Sequence, residues 1–250
     1  VLCTLYTRVL LVSSLHEPMF TLYYVHMQKN ESFYQVSLAV DVVLFTIENG
    51  ELCILCVERT EDPFKGIQAL PGGFVKEGET TKQTAARILS DKAGINDVYI
   101  EQLYTFDTPN RDPRGHIVSV TYFALAPREH ITINTSDKTQ QPQFLPVRKL
   151  PKLAFDHTEI IEYAKKRLQA KLEYTNVSYS LLPKFFTFSQ LQSIYEIILG
   201  QKFDKRNFQK KYLQLGLITA TKKMFAGGRQ RPAKLYEFKL KKPTELRKFI

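Results

Sequence analysis

Apolar and polar positions alternate with two periods along this chain, and the switch from one to the other marks out its elements. "YQVSLAVDVVLFTIENGELCILCVER" (34–59) holds two β-rich runs around Asn49-Gly50, a dipeptide that favours a tight hairpin because both residues accept positive φ. "PFKG" and "LPGG" then punctuate a loop before a helix over about Thr80 to Lys92, closed by Gly94. "VYIEQLYTFD" and "GHIVSVTYFALAP" read as further strands, with the turn-rich "TPNRDPRG" between them. "DHTEIIEYAKKRLQAKL" has the 3.6-residue period of an amphipathic helix, with Asp156 as N-cap and Glu159 as its capping-box partner. Strands interspersed with helices through residue 172 imply a mixed α/β domain. The polar "EYTNVSYS" (173–180) reads as a linker.

Beyond it the pattern changes. "TFSQLQSIYEIILG" begins with Thr187 as N-cap and Gln190 three residues on, and ends at Gly200. "FDKRNFQKKYLQLG" begins with Asp204 as N-cap and ends at Gly216, so two short helices joined by a tight turn form a helix-turn-helix candidate. In the second helix Phe208, Tyr212 and Leu215 share the inward face. That leaves Lys205, Arg206, Asn207, Gln209 and Lys210 on the exposed N-terminal surface, from which Arg suits guanine and Asn or Gln suits adenine. "LITATKKMFAGGRQRPAKLYEFKL" supplies two strands around a Gly-rich tip, where Lys222, Lys223, Arg229 and Arg231 flank Gly227-Gly228 like a wing suited to phosphates. A solvated basic helix in a protein-interaction module is the alternative; caps, turn, wing and charge together favour double-stranded DNA.

Charge sharpens this division. From Lys184 onward there are 16 Lys/Arg against 4 Asp/Glu, and before it 19 against 21, so the net +10 of the chain belongs to its last quarter. A near-neutral domain followed by one that meets a polyanion is the expectation. Cys3, Cys53 and Cys56 make no disulfide framework, and the latter two lie in the apolar "LCILCV", which suits buried thiols in a reducing cytoplasm better than metal ligands. The first 26 residues have short, interrupted apolar runs, neither a membrane span nor a signal peptide. Met27 is expected to be the native start, which would make residues 1–30 a non-native or disordered extension.

The chemistry concentrates in "LPGGFVKEGETTKQTAARILSDKAGI" (70–95). Gly73, Glu79, Arg87, Leu89, Gly94 and Ile95 fall at the spacing of the Nudix box, and "VER", "PFKG", "FLPV" and "LAFDH" also resemble that superfamily. The family's box places further glutamates on one helix face to hold divalent metal; here those positions are Ile88, Asp91 and Lys92. An alkyl group, one carboxylate and an ammonium do not make a Mg²⁺ site, and Glu79 alone does not rebuild it. The expectation is no metal, no cofactor and no hydrolysis, with the box (Gly73, Glu79, Arg87, Asp91) kept as a fold element. The pocket can still bind: Arg59, Arg111, Arg114 and His116 could gather around Gly72-Gly73, where Arg forks suit phosphates and the glycines admit a close ligand. For each Arg alone the competing reading is a surface ion pair with Asp107, Asp112 or Glu61. His157, after its N-cap, reads as structural, and Gln68 stands where superfamily members often carry Trp.

A disabled Nudix box followed by a winged helix, with "LLPKFFTFSQLQSIYE" and "FDKRNF", resembles the Nudix-related transcriptional regulators of the NrtR type and their sugar-responsive AraR-type relatives. The resemblance covers about residues 36 to 240. It implies an α+β fold, a Nudix-like α/β/α sandwich followed by a winged helix-turn-helix, and a cytoplasmic homodimer on palindromic operator DNA. The effector would be ADP-ribose or a related nucleotide in one branch and a pentose such as arabinose in the other; "PFKG" and "LPGGFVKEGE" lean to the nucleotide. The expected division is 31–172 effector-binding domain, 173–180 linker and 181–250 DNA-binding domain. The competing reading is a residual Nudix hydrolase acting on ADP-ribose or another nucleoside diphosphate through Glu79 and Asp91.

Overall fold

The computed structural model describes residues 35–133, 140–225 and 232–246. The expected extension with Met27, and the wing tip from Gly227 to Arg231 with its two arginines, lie outside the described residues. Strand β1 (Ser37–Glu48) turns at Asn49-Gly50 into β2 (Glu51–Glu58), with Phe45 opposite Ile54. Both turn residues hold the expected positive φ, 50° and 75°. Strands β3 (Gln68–Ala69) and β4 (Gly72–Phe74) lead into helix α1 (Thr81–Ala93). Thr80 and Gln83 cap that helix reciprocally, and Gly94 closes it in the left-handed region. Strands β5 (Tyr99–Phe106), β6 (Ile117–Leu125) and β7 (Gln140–Pro146) precede helix α2 (His157–Tyr174).

The sheet runs β3-β2-β1-β6-β5, with β4 added on β1 and β7 on β2; β1 and β6 are parallel. Strand β7 was not foreseen from its two prolines and glutamines, and among the described residues it pairs with β2 alone, which suits a proline-bearing strand. Alternate residues of β1 serve opposite cores. Val40, Val42 and Leu44 join Ala85, Ile88 and Leu89 of α1. Val43 and Phe45 join Ile160, Ile161, Ala164 and Leu168 of α2. Helices therefore cover both sheet faces, which is the expected α/β/α sandwich.

The winged helix follows as β8 (Phe186–Thr187), α3 (Phe188–Leu199), α4 (Lys205–Gln214), β9 (Ile218–Phe225) and β10 (Ala233–Phe238), with sheet order β8-β10-β9. The Thr187–Gln190 capping box, the Gly200 terminus and the Asp204 cap all form as predicted. Phe208 and Tyr212 are buried and Leu215 packs against the same core. Among the described residues, no helix is long and apolar enough to cross a membrane.

Two expectations need correction. Asp156 precedes α2 but makes no cap bond, and no box with Glu159 forms, because its carboxylate is taken by Arg111. The stretch 173–180, read as a linker, is packed into the fold from its first residues. Helix α2 continues through Tyr174, and Val177–Leu181 form a 3₁₀ turn in which Val177, Ser178 and Leu181 are buried. Several of its polar groups bond to protein, while the buried Ser180 hydroxyl has no hydrogen-bond partner among the described residues. Asn176 donates to the Lys242 carbonyl (3.1 Å) and accepts from the Thr244 N–H (2.7 Å), while Leu246 N–H donates to the Tyr174 carbonyl (2.7 Å). The Ser178 hydroxyl lies 3.5 Å from that of Tyr195 and 3.3 Å from that of Tyr212, one on each helix of the helix-turn-helix. Leu168 and Leu172 of α2, Val177, Leu181 and Leu182 of the connector, and Phe186, Leu191 and Ile194 beyond it belong to one buried cluster. A single core thus crosses the junction.

Such a core makes the two parts unfold together. Leu172→Ala leaves a cavity that costs about 2–5 kcal/mol, and both parts should lose thermal stability in one transition. Calorimetry with a trypsin-cleavage time course checks this; a variant melting in two resolved steps would show the junction to be energetically minor.

Candidate functional site: a Nudix pocket joined to a winged helix

The pocket opens where β1, β4, the loop after β2, the 107–116 loop and the start of α2 converge, around a cavity of about 220 Å³. Its lining includes Arg59, Gly72, Gly73, Arg111 and Arg114, five of the six residues proposed from sequence. His116 lies outside the lining; its carbonyl instead accepts the Ser37 N–H at the start of β1. Sequence reasoning missed Asp41, Phe74 and Phe155 in the wall. Asp41 did carry a signal, as the lone charge in the apolar run "LAVDVVLF".

Each arginine has a distinct setting. Arg111 has a side chain only 4% exposed, and its Nε and Nη2 donate to the two oxygens of Asp156 at 2.7 and 2.6 Å. Asp41 stands 3.6 Å away on the pocket floor, where it also accepts the Ser119 hydroxyl (2.6 Å). Burial alone would lower the Arg111 pKa; the hydrogen bonds to Asp156 and the nearby carboxylates outweigh it and raise it. This guanidinium is a structural link between loop and helix, not the surface pair with Asp107, Asp112 or Glu61 that competed in the sequence reading. Arg114 donates to both oxygens of buried Asp112, and its guanidinium lies 5.4 Å from the ring centres of both Phe74 and Phe155. Arg59 lies 4.8 Å from the Phe155 ring and donates to the backbone carbonyls of Pro63 and Glu61. Its pKa is lowered, by burial first and by the Arg114 charge second. Two guanidinium groups thus share one aromatic ring at the pocket.

The glycines divide differently than expected. A Cβ on Gly72 would come within 2.3 Å of an Asp41 carboxylate oxygen, so the close approach there is made by the protein itself. A Cβ on Gly73 would meet only the Ile88 methyl at 3.9 Å, an ordinary contact.

The donor set does not fit a box metal. Ile88, in place of a glutamate, is buried in the core beneath α1. Asp91 is exposed, outside the seam that joins Ile88 to Lys92, and Lys92 presents an ammonium to the pocket wall. Glu79 is held by a two-pronged Arg87 bond (2.7 and 2.8 Å) and by Thr84, which drive its pKa down to about 2. Among the described residues no three His, Cys, Asp or Glu gather at metal-binding distance.

His157 is buried, as its structural reading implied, and its Nδ1 accepts the Leu70 N–H at 2.9 Å. This ties α2 to the strand that precedes the box. The candidate nucleic-acid surface lies at the other end of the chain. Lys205, Arg206, Asn207 and Lys210 are exposed along α4, Gln209 is half-buried, and Lys222 and Lys223 are exposed on β9. Lys223 also covers the Phe185 ring at 3.9 Å, which fixes the root of the wing.

Burial holds the His157 pKa below 6.5, with Arg111 and Arg59 lowering it further against the opposing pull of Asp41 and Asp156. A folded value below the unfolded one means that its contribution to stability is complete above about pH 6.5 and is lost as pH falls through the folded value. Wild-type stability should therefore fall by up to ~1.4 kcal/mol per pH unit below that point through this group alone. Urea unfolding from pH 7 to 5 should show a flatter acid limb in His157→Gln, where an amide oxygen still accepts the Leu70 N–H; an unchanged limb would assign the slope elsewhere.

Comparison with known proteins places both halves. Residues 36–164 match the family described as NUDIX domain, and residues 178–238 match the NrtR DNA-binding winged helix domain. Over 207 residues the chain is 38% identical to the ADPR responsive transcriptional repressor NtrR of Acinetobacter baylyi, spanning 81% of this chain and 82% of that protein. An ADP-ribose pyrophosphatase of Methanocaldococcus jannaschii is 37% identical over 109 residues, 44% of this chain and 63% of the other. The crystal structure of Shewanella oneidensis NrtR with a 27mer DNA superposes with a TM-score of 0.73 at 36% identity, covering 81% of this chain and 93% of that one. Its NUDIX domain in complex with ADP ribose gives 0.51 at 37% identity, over 60% of this chain and 99% of that one. With both domains matched in order and a regulator similar over four-fifths of the length, the chain belongs to the NrtR family of Nudix-related transcriptional regulators.

Proposed function

We propose that this protein binds operator DNA through α4 and the wing, and answers to ADP-ribose or a related nucleotide held in its Nudix pocket without hydrolysing it. The observation that carries the effector is the pair Arg59 and Arg114 over the single ring of Phe155. Asp112 answers the charge of Arg114, and an anion would add a partner for both guanidinium groups; a diphosphate offers both charges and geometry. A pentose brings no charge to the two guanidinium groups, so the pocket favours the nucleotide over the sugar. The relatives' response to, or complex with, ADP-ribose points the same way.

Loss of hydrolysis rests on the box. Where metal chemistry needs convergent carboxylates, this helix has Ile88 in the core, Asp91 facing outward and Lys92 in the wall. The similar pyrophosphatase marks the lineage of the fold, and Glu79, already committed to Arg87, is left as a brace between the box loop and α1.

On the DNA side, Arg206, Asn207 and neighbouring lysines occupy the exposed start of α4, where a recognition helix meets base edges. A homodimer on a palindromic site matches the symmetry such helices require. Effector and operator are linked only if the nucleotide binds the DNA-competent and incompetent arrangements unequally.

Fluorescence anisotropy on DNA from upstream of the protein's own gene, against scrambled DNA, with and without ADP-ribose, tests the reading. Specific binding that ADP-ribose weakens supports it, and specific binding indifferent to ADP-ribose but altered by arabinose transfers the effector to the pentose class. Equal affinity for both DNAs in the wild-type protein would remove operator recognition in that region. Arg206→Ala should weaken the operator complex and relax base preference, whereas Lys222→Ala should weaken all sequences alike and flatten the salt slope by about one unit. Incubation with ADP-ribose and Mg²⁺ should release no AMP above a buffer control; AMP release abolished in Glu79→Gln would restore the hydrolase.

A further inference from the structure

We propose that helix α2 is the shaft that carries the effector signal to the winged helix, and that the Arg111–Asp156 ion pair is the latch at its input end. The inference rests on the effector site argued above and specifies how that site is regulated. Four observations converge on it.

The pocket and the helix meet in consecutive residues. Phe155, the ring under Arg59 and Arg114, immediately precedes Asp156 and the first turn of α2. Phe155 holds φ at 54°, a left-handed conformation that a bulky residue adopts only when its surroundings impose it, and Phe64 packs edge-on at 4.9 Å. A ligand that displaces either arginine from that ring removes part of what imposes it.

Second, Arg114 and Arg111 are three residues apart on one loop, and they point to different partners. Arg114 reaches Asp112 and the pocket rings; Arg111 is buried and grips Asp156 through two bonds. Movement of the loop toward a phosphate therefore pulls on the start of α2. The Asp156 carboxylate could have capped the helix, and it is held by the loop instead.

Third, the far end of α2 is fixed to the DNA-binding part. The 18-residue helix spans about 27 Å. Gln169 near its end donates to the Ile198 carbonyl at the end of α3 (2.8 Å), and Leu168 and Leu172 share a core with Leu191 and Ile194. Fourth, the buried connector that follows places Ser178 against the hydroxyls of Tyr195 and Tyr212. A tilt at the input is thus delivered to both helices of the helix-turn-helix, where a flexible tether would have absorbed it.

Asp156→Asn tests the latch. The amide keeps the size of the side chain and withdraws the charge from Arg111, and Asp156 does not line the pocket or the DNA surface. Operator affinity is measured with and without saturating ADP-ribose, and ADP-ribose affinity is measured alone. In the wild type ADP-ribose should weaken operator binding by ~5-fold or more. In Asp156→Asn the ratio of operator affinities without and with saturating ADP-ribose should shrink below about 2-fold, whatever the variant's own affinity for ADP-ribose. A variant that keeps the full wild-type ratio overturns the latch. A wild type whose operator binding ignores ADP-ribose defeats the effector assignment itself, and the latch with it; that failure is distinct, since it appears before any substitution. Should the variant not fold, hydrogen exchange of the wild-type protein decides. ADP-ribose should change exchange in both 157–160 and 177–182. Changes confined to the pocket loop, with the latter segment unaltered, would rule out transmission through α2.

Discussion

A guanidinium taken out of water needs its charge answered at once, and the Arg111–Asp156 pair is that answer in this protein. Removing one member of such a buried pair typically costs about 3–5 kcal/mol, because the other is left charged and unsolvated. The pair fixes the 107–116 loop to the first turn of α2, and through that turn it fixes the pocket wall. Asp41 stands beside it on the floor, Gly72 is kept small by the Asp41 carboxylate, and His157, the residue after Asp156, receives the Leu70 N–H. The loop, the glycine strand and the helix are therefore set relative to one another by charge, and the apolar core fills in behind them.

The second constraint is the uninterrupted core. Coupling between domains can be carried by packed side chains and hydrogen bonds, and the connector offers both. Asn176 is bridged to the Lys242–Thr244 segment, and Ser178 reaches two tyrosines that belong to different helices. Tyr195 and Tyr212 pack with Phe188 and Phe208 in one aromatic cluster, so the helix-turn-helix is internally stiff where it receives the connector.

The shape of the box is held by interactions separate from its chemistry. The Thr80–Gln83 capping box, the Gly94 terminus and the Glu79–Arg87 brace all serve the loop-helix shape, and none of them needs a metal. Replacing one carboxylate by Ile88 turns a solvated metal face into core, which adds apolar burial to α1. What lines the pocket is aromatic rings and matched charges, with Asp41, Glu58, Glu61 and Asp112 beside Arg59, Lys92, Arg111 and Arg114.

Local interactions explain what was legible in the sequence. Caps, the Asn49-Gly50 turn and the two-fold and 3.6-fold periods act within a few residues, so the long helices, β1, β2, β5, β6, the Nudix outline and the helix-turn-helix could be read from it, while the proline-bearing β7 could not. The gathering of Arg59, Gly72, Arg111 and Arg114 at one pocket was likewise foreshadowed by their motifs. The partners of those arginines were not. Asp156 looked like a helix cap because capping is local, yet a buried guanidinium 45 residues earlier claimed its carboxylate. Residues 173–180 read as a linker because polarity usually means exposure, yet Asn176 is satisfied inside the fold by groups up to 68 residues distant. Sequence determined the elements and the kind of ligands they suit. Only tertiary structure decided which charges meet and that one core joins pocket to winged helix, because burial makes distant groups answer one another's unmet bonds.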